Sequence, residues 1–185
     1  MRRQRNIDAV LATILDMLER SEAPTLKVIA ERSGVTIRSI YRYFDDLDDL
    51  GRTAIETEFR NAFPMSVVPD VGEGTLEHRV YQIVKRYLDV LERTHSLGRV
   101  ARTRTVSIPE IDRGLHMINQ FRTDQIARQF EPELEQLEEP KRTAILTACV
   151  AAVGFENYDT LARMQGLERS EIAELWTIAL MALLA

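Results

Sequence analysis

The chain has 185 residues, 45% of them apolar and 29% charged, with eight glycines and six prolines. This composition is typical of a globular protein of one or two domains, and it excludes fibrous, disordered and low-complexity classes. The formal net charge of −5 argues against a protein that coats polyanions with its whole surface, although a local basic interface remains compatible with it.

Sequence signals in the N-terminal third predict three helices joined by short connections. Apolar residues at three- and four-residue spacing from Ile7 to Leu18 predict a first amphipathic helix. Thr25 is suited to cap a second helix, which Gly34 ends in a left-handed conformation. Thr36 is suited to cap a third helix, whose inward side carries Ile40 one turn after the cap.

A fourth helix is expected from the N-cap Asp46 to Pro64. The segment from Pro64 to Gly74 holds two prolines and two glycines, which indicates a loop and a boundary between modules. The resulting domain prediction is an N-terminal domain at residues 1–50, a connecting helix at about 46–63 and a C-terminal domain at 64–185.

The C-terminal domain is predicted to be helical throughout. Thr75 begins a helix with an apolar face up to Leu91, and a shorter helix follows from about Leu97 to Thr105. Ser107 and Glu110 have capping-box spacing, and the helix that they begin is expected to reach Pro132. The apolar face of this helix is predicted to consist of Ile111, Leu115, Ile118 and Phe121.

Two apolar helices are expected at the end of the chain. The first runs from Pro140 to about Gln165, and the second begins near Ser170. From Leu175 onward the second is apolar nearly all round, with only Thr177 polar, so several of its sides must be covered. The sequence contains no strand pattern, and the predicted class is therefore all-α.

The sequence limits the cellular setting and the kind of site. The single cysteine, Cys149, excludes an intrachain disulfide and is consistent with a reducing cytoplasm; in an apolar run it is more often core filler than nucleophile. The acidic residues Asp8, Asp16 and Glu19 interrupt what would be the apolar part of an export signal. No stretch approaches the ~20 apolar residues of a membrane span, so we expect a soluble, cytoplasmic protein without a membrane partner.

Catalytic and metal-binding signals are weak. The three histidines, His78, His95 and His116, are scattered, with no metal-ligand spacing between them or with the cysteine. No phosphate-binding glycine loop and no nucleophile elbow is present. We therefore expect no enzyme activity, no metal and no cofactor.

The most informative segment is the pair of short helices from Thr25 to Phe44. Its second helix is expected to present Ile37, Arg38, Tyr41 and Arg42 to solvent. A guanidinium that pairs with guanine, an apolar contact for a thymine methyl group and hydroxyls for phosphates are what a reader of the DNA major groove requires. The alternative from these residues alone is an ordinary helical hairpin with a solvated polar face.

This segment resembles the DNA-binding module of the tetracycline-repressor (TetR) family. The family pattern is a capping Thr, Ile-Ala in the second helix, Gly-Val-Ser/Thr at the turn, and an aliphatic-Tyr-aromatic-aromatic end to the third helix. This chain has Thr25, Ile29-Ala30, Gly34-Val35-Thr36 and Ile40-Tyr41-Arg42-Tyr43-Phe44 in the same order and spacing, followed by an acidic segment up to Leu50. The resemblance covers about the first 60 residues.

The resemblance implies a helix-turn-helix head that binds an operator in double-stranded DNA, and a body that binds an effector and dimerises. Approach to DNA is implied for Thr25 and Lys27, base reading for Thr36, Ile37, Arg38 and Ser39, and phosphate contacts for Tyr41, Arg42 and Tyr43. The N-terminal arginines Arg2, Arg3 and Arg5 occupy the place of a basic minor-groove arm, with a disordered tail as the alternative.

One departure from the family concerns the start of the fourth helix. Where the family usually has a phosphate-binding Lys, this chain has Leu47, surrounded by Asp45, Asp46, Asp48 and Asp49. These carboxylates should repel DNA unless they cap the helix and point sideways. This departure suggests the alternative function, a helical binding or scaffold protein with weak or lost DNA affinity.

The resemblance also implies an effector cavity in the body and a dimer interface built from the last two helices. Candidate effector contacts are Tyr87, Arg102, His116, Phe121, Cys149 and Asn157, with a surface or packing role as the alternative for Tyr87, Arg102 and His116. Candidate dimer contacts are Val153, Leu161, Leu175, Trp176, Ala179, Leu180 and Leu183. Three roles stay open for Asn157: a ligand-orienting group, a register-setting residue at the dimer seam, or a solvent-facing edge. The resulting hypothesis is a homodimeric repressor that a small-molecule effector releases from a palindromic operator.

Overall fold

A computed structural model describes residues 2–20, 22–106 and 108–185 of the chain. These residues form α-helices, one π-helical turn and connecting loops without any strand, which confirms the predicted all-α class. In chain order the elements are α1 (Arg2–Glu19), α2 (Leu26–Ser33), α3 (Ile37–Tyr41), α4 (Leu47–Ser66), α5 (Leu76–Arg104), α6 (Pro109–Gln129), α7 (Glu131–Leu134), α8 (Lys141–Ala152), α9 (Phe155–Asp159), the π-helical turn (Thr160–Met164) and α10 (Arg169–Leu184).

The chain folds into two compact units that are not contiguous in sequence. The first consists of Met1–Asn61 and Ser96–Gly114, and the second of Ala62–His95 and Leu115–Ala185. Helices α4, α5 and α6 each pass from one unit into the other along the chain. The domains expected at residues 1–50 and 64–185 stay a prediction, and no local sequence pattern signals the return of 96–114 to the first unit.

Helix α5 is longer than expected. The predicted break before Leu97 is wrong, because α5 continues from Leu76 to Arg104. The intervening residues are polar but include neither proline nor glycine before Gly98, so nothing stops the helical hydrogen bonding. Thr94 in this stretch is buried, and its hydroxyl donates to the carbonyl oxygen of Val90 at 2.8 Å.

Two prolines do not end helices where the sequence suggested. Helix α4 continues past Pro64 to Ser66. Helix α6 ends at Gln129, before Pro132, which lies in the first turn of α7, where a missing N–H leaves no helical hydrogen bond unmade. The expected cap Ser107 lies outside the described residues. On α6, Ile111 is buried but Ile118 is exposed, so the predicted apolar face is only partly used.

The helix expected from Pro140 to Gln165 is interrupted in its middle. Helix α8 ends at Ala152, and α9 begins after Gly154. A Cβ atom on Gly154 would lie 3.3 Å from the carbonyl oxygen of Ala151, which is a tighter approach than most side chains tolerate. Gly154, a glycine inside an apolar helical pattern, is the sequence feature from which this interruption could have been predicted.

The second unit has an extensive apolar core to which α5, α6, α8 and α10 contribute. Helix α10 buries Ile172, Trp176, Leu180 and Leu184, which recur every four residues along one side. Its N-terminus has a capping box in which Glu168 and Glu171 each accept from the other's backbone N–H. The nearly all-apolar helix is thus covered on one side by its own chain.

The loop between α4 and α5 is fastened by a buried amide. The backbone N–H of Gly72, at a φ of 82°, donates to Oε1 of Gln129 at 2.9 Å. The Gln129 side-chain nitrogen donates to the carbonyl oxygen of Arg79 at 3.3 Å and to Oε1 of Gln82 at 2.9 Å. Arg79 also forms a buried ion pair with Glu133. These contacts join α5, α6 and α7 within the second unit.

Candidate nucleic-acid interface

Helices α2 and α3 form a helix-turn-helix whose boundaries match the sequence expectation. The Thr25 hydroxyl accepts from the backbone N–H of Val28 at 3.3 Å and so caps α2. Gly34 ends α2 with a φ of 68°, a conformation that glycine adopts without steric penalty. The Thr36 hydroxyl accepts from the backbone N–H of Ser39 at 3.2 Å and caps α3. The predicted caps are confirmed.

The inward side of this helix pair is apolar and buried. Ile29 of α2 and Ile40 of α3 are almost inaccessible, and Val35 at the turn and Phe44 after α3 are buried too. Helix α2 packs against both α1 and α3. Because these contacts fix α3 through its inward side, its other side is free to meet a partner.

The predicted DNA contacts lie on the outward side. Ile37 is 41% exposed and Tyr41 56% exposed, which are high values for large apolar side chains. Exposed as well are Thr25, Lys27, Thr36, Arg38 and Arg42, whereas Ser39 and Tyr43 are half-buried. The Thr36 hydroxyl also donates to Oγ of Ser39 at 3.1 Å, so these two hydroxyls are engaged with each other and with the cap.

The N-terminal arginines have a different conformation from the one expected. Arg2, Arg3 and Arg5 lie in the first turns of α1, as exposed helical residues, and form neither an extended arm nor a disordered tail. The helix therefore begins at Arg2, five residues before Ile7, the first residue of the predicted amphipathic pattern. Because Arg has a high helix propensity, a run of basic residues does not oppose this extension.

Tyr43 is surrounded by nitrogen donors and cations. Nη2 of Arg42 donates to its phenol oxygen at 2.8 Å, and Nδ2 of Asn6 on α1 donates to the same atom at 3.5 Å. The guanidinium carbons of Arg42 and Arg3 lie 5.1 and 5.8 Å from the Tyr43 ring centroid. The hydrogen bond from Arg42, followed by that from Asn6, lowers the pKa of Tyr43 below its ordinary value. Sequence reasoning missed Asn6, because its partner is 37 residues away.

Most of the carboxylates at the start of α4 form hydrogen bonds or ion pairs within the first unit. Oδ1 of Asp46 accepts from the backbone N–H of Asp49 at 2.7 Å, and Oδ2 of Asp49 accepts from that of Asp45 at 3.1 Å. Asp49 also pairs with Arg52, and Asp48 accepts from Arg104 at 3.1 Å within the first unit. The carboxylates thus cap the helix and pair with arginines, which reduces the repulsion expected of them. Leu47 is half-buried.

The candidate effector residues divide between the two units. Arg102 belongs to the first unit, where it donates to the carbonyl oxygen of Gly98 at 3.1 Å. The other five belong to the second unit, in which His116 is exposed. Phe121 packs on Phe63 with ring centroids 4.7 Å apart.

Two of these candidates are core residues of the second unit. Cys149 is fully buried, and its burial raises the pKa of the thiol to about 11, so that it stays protonated near neutral pH. Tyr87 is also buried, which raises its pKa well above the ordinary value, and its hydroxyl lies 3.5 Å from Oε1 of the buried Gln125. This Tyr87–Gln125 pair is a polar contact inside an apolar core.

Asn157 has a partner that none of the three sequence-based roles included. Its Oδ1 accepts from the indole Nε1 of Trp176 at 2.8 Å. Because Trp176 is only 2% exposed, this bond satisfies the donor of a buried indole. The helix expected from Pro140 to Gln165 is also interrupted at Gly154, so Asn157 lies on α9 and does not continue the face of α8.

The candidate dimer residues divide into inward and outward groups. Val153, Trp176 and Leu180 are buried in the core of their own chain, so these side chains are not presented to a second copy. Leu175 is 44% exposed, and one turn further Ile178 is 58% exposed. Leu161, Ala179 and Leu183 are half-buried.

The described residues hold neither a cluster suited to a metal ion nor a helix suited to span a membrane. Within them no group of three or more His, Cys, Asp or Glu side chains is arranged to hold a metal ion. None of the helices in the described part of the chain is long and apolar enough to cross a membrane.

Comparison with known proteins shows a shared fold. No protein-family model and no curated protein sequence matches the chain. Among solved structures, a transcriptional regulator from Rhodococcus sp. Rha1 is similar to it, with a TM-score of 0.74 and 14% sequence identity. The match covers 100% of this chain and 96% of that one. At this level of identity, the similarity establishes that the two chains have the same fold along their whole length.

Proposed function

We propose that this protein is a DNA-binding transcriptional regulator of the TetR type that acts as a homodimeric repressor. The observation that carries the proposal is the capped helix-turn-helix whose α3 buries Ile40 and presents Ile37, Arg38 and Tyr41 outward. An exposed guanidinium next to an apolar side chain fits the edges of guanine and thymine in the major groove. The fold shared with a transcriptional regulator supports the same conclusion.

The engaged carboxylates at the start of α4 support DNA binding over a scaffold role. The departure that suggested lost DNA affinity was the acidic segment from Asp45 to Asp49. Since Asp46 and Asp49 cap α4 and Asp48 pairs with Arg104, their negative charge is partly neutralised at short range. The guanidinium groups of Arg3 and Arg42 near Tyr43 add positive charge to the first unit.

The DNA-binding proposal is tested by selecting bound duplexes from a random pool and measuring affinity by gel shift. We expect a palindromic site with two half-sites spaced by a whole number of helical turns. Arg38→Ala should relax the preference at one base pair per half-site, by about 1–3 kcal/mol for that pair. The matched control is Arg32→Ala, an exposed arginine on α2 whose guanidinium pairs with Glu22. Selection of no sequence by the wild-type protein would leave the scaffold role as the better description.

The homodimer part of the proposal rests on exposed apolar side chains of the last helices. Leu175 and Ile178 are exposed on α10, and α10 packs against α8, on which Ala144 and Ala151 are exposed seven positions apart. Two copies that bury these side chains against each other would form a symmetric interface of four helices. Ile178→Glu should produce monomers in light scattering with unchanged helix content, whereas the exposed Thr177→Glu serves as the neighbouring control.

The effector is proposed to bind in the second unit. The Tyr87–Gln125 pair supplies a hydroxyl and an amide between α5 and α6, which is the kind of polar contact that orients a small molecule in an apolar pocket. Ligand would shift the population toward a form with lower DNA affinity, without a chemical step. A thermal-shift screen of small molecules, followed by gel shifts with each hit, tests this part; stabilising hits that never release DNA would contradict it.

A further inference from the structure

Asn6 on α1 is not among the residues to which a DNA contact has been assigned. It is half-buried, and its amide nitrogen donates to the phenol oxygen of Tyr43, to which Arg42 also donates. The phenol oxygen therefore receives two donated hydrogen bonds, at 2.8 Å from Arg42 and 3.5 Å from Asn6.

Two donors at one phenol oxygen determine where its own proton can go. A phenol oxygen accepts through its lone pairs and donates one O–H. When both neighbours are donors, the hydroxyl proton has no acceptor in this cluster and must point away from Arg42 and Asn6. An outward O–H on a ring that has the Arg3 and Arg42 guanidiniums over it, 5.8 and 5.1 Å from its centroid, is suited to an anionic oxygen such as a DNA phosphate.

We propose that Asn6 is a positioning residue for DNA binding: it holds the Tyr43 hydroxyl so that its proton is directed to a backbone phosphate. The proposal rests on the proposed DNA-binding function and adds to it a residue on α1 that touches no DNA itself. Arg3 contributes positive charge to the same phosphate position, and Tyr43 makes the contact.

Two substitutions at position 6 test the proposal: alanine removes the hydrogen-bond donor, and aspartate replaces it with an acceptor. Asn6→Ala should weaken operator binding about three- to tenfold per half-site, the range that corresponds to one ordinary hydrogen bond. Asn6→Asp should weaken it more, because a carboxylate accepts the Tyr43 proton and turns it inward. The matched control is Gln4→Ala on the same helix, since the Gln4 amide donates to Asp8 at 2.8 Å instead of to Tyr43.

Two readouts separate positioning from a general structural role. In a Tyr43→Phe background, Asn6→Ala should have no further effect on DNA affinity. In the free wild-type protein, NMR titration of isotope-labelled tyrosine, assigned with Tyr43→Phe, should give a Tyr43 pKa below the ordinary value. Asn6→Ala should raise this pKa, and Asn6→Asp should raise it further because a carboxylate opposes ionisation of the phenol.

The outcomes distinguish this proposal from the proposed function. If the wild-type protein binds a selected duplex and Asn6→Ala changes neither its affinity nor the Tyr43 pKa, Asn6 has no positioning role. An equal effect of Asn6→Ala with and without the Tyr43 hydroxyl would also overturn the proposal. If no duplex is bound by the wild-type protein, the proposed function fails and the phosphate role fails with it, whatever the tyrosine titration shows.

Discussion

Replacement of Asn157 by leucine should destabilise the second unit, because it removes the acceptor of a buried indole. The N–H of Trp176 donates to Asn157 over 2.8 Å, and the tryptophan is 2% exposed, so leucine at position 157 leaves the N–H of a buried side chain without this acceptor. An unsatisfied buried donor costs about 1–3 kcal/mol. For a chain of this size each kcal/mol lowers the melting temperature by about 2–4 °C, which gives a decrease of about 2–12 °C.

The assay is favourable because Trp176 is the only tryptophan in the chain. Urea unfolding followed by its fluorescence and, in parallel, by circular dichroism reports the site and the whole fold separately. Glu174→Ala, at an exposed position of the same helix, is the control and should change stability by less than about 0.5 kcal/mol. In a Trp176→Phe background, with unfolding followed by circular dichroism, Asn157→Leu should lower the free energy of unfolding by clearly less than it does in the wild-type background. An equal loss in both backgrounds would refute the hydrogen-bond argument.

Two further predictions concern the charges of each unit. Leu47→Lys should steepen the log-log salt dependence of DNA binding by about 0.9 per added phosphate contact, and the ion pair between Arg104 and Asp48 lowers the negative charge beside the new ammonium; an unchanged slope in gel shifts would place Leu47 away from DNA. In the second unit Asp159→Asn should lower stability at neutral pH, because hydrogen bonds from Arg163, and next from His95, hold the pKa of this carboxyl below its ordinary value of 3.8. The stabilisation by the charged Asp159 is fully present above the ordinary pKa and is lost as the pH falls through the lowered pKa of the folded protein. The urea midpoints of variant and wild type should therefore converge in acid. A constant difference between the midpoints across pH would contradict this origin.

The short-range features of this protein follow from its sequence. The caps at Thr25 and Thr36 and the left-handed Gly34 are bonds and conformations within four residues, so the residue types alone predict them. The inward positions of Ile29 and Ile40 follow from helical periodicity in the same way. For this reason the two helices of the helix-turn-helix and the outward position of Ile37, Arg38, Tyr41 and Arg42 could be predicted from the sequence.

Tertiary structure alone decided which partners distant residues have. The sequence marked α10 as apolar nearly all round, but packing selected Trp176 for the core and left Ile178 exposed. Asn157 accepts a hydrogen bond from a tryptophan 19 residues away in the sequence, and Asn6 donates to Tyr43, which is 37 residues away. Such pairs depend on how helices pack against one another, and periodicity and capping signals carry no information about that packing because they extend over only a few turns.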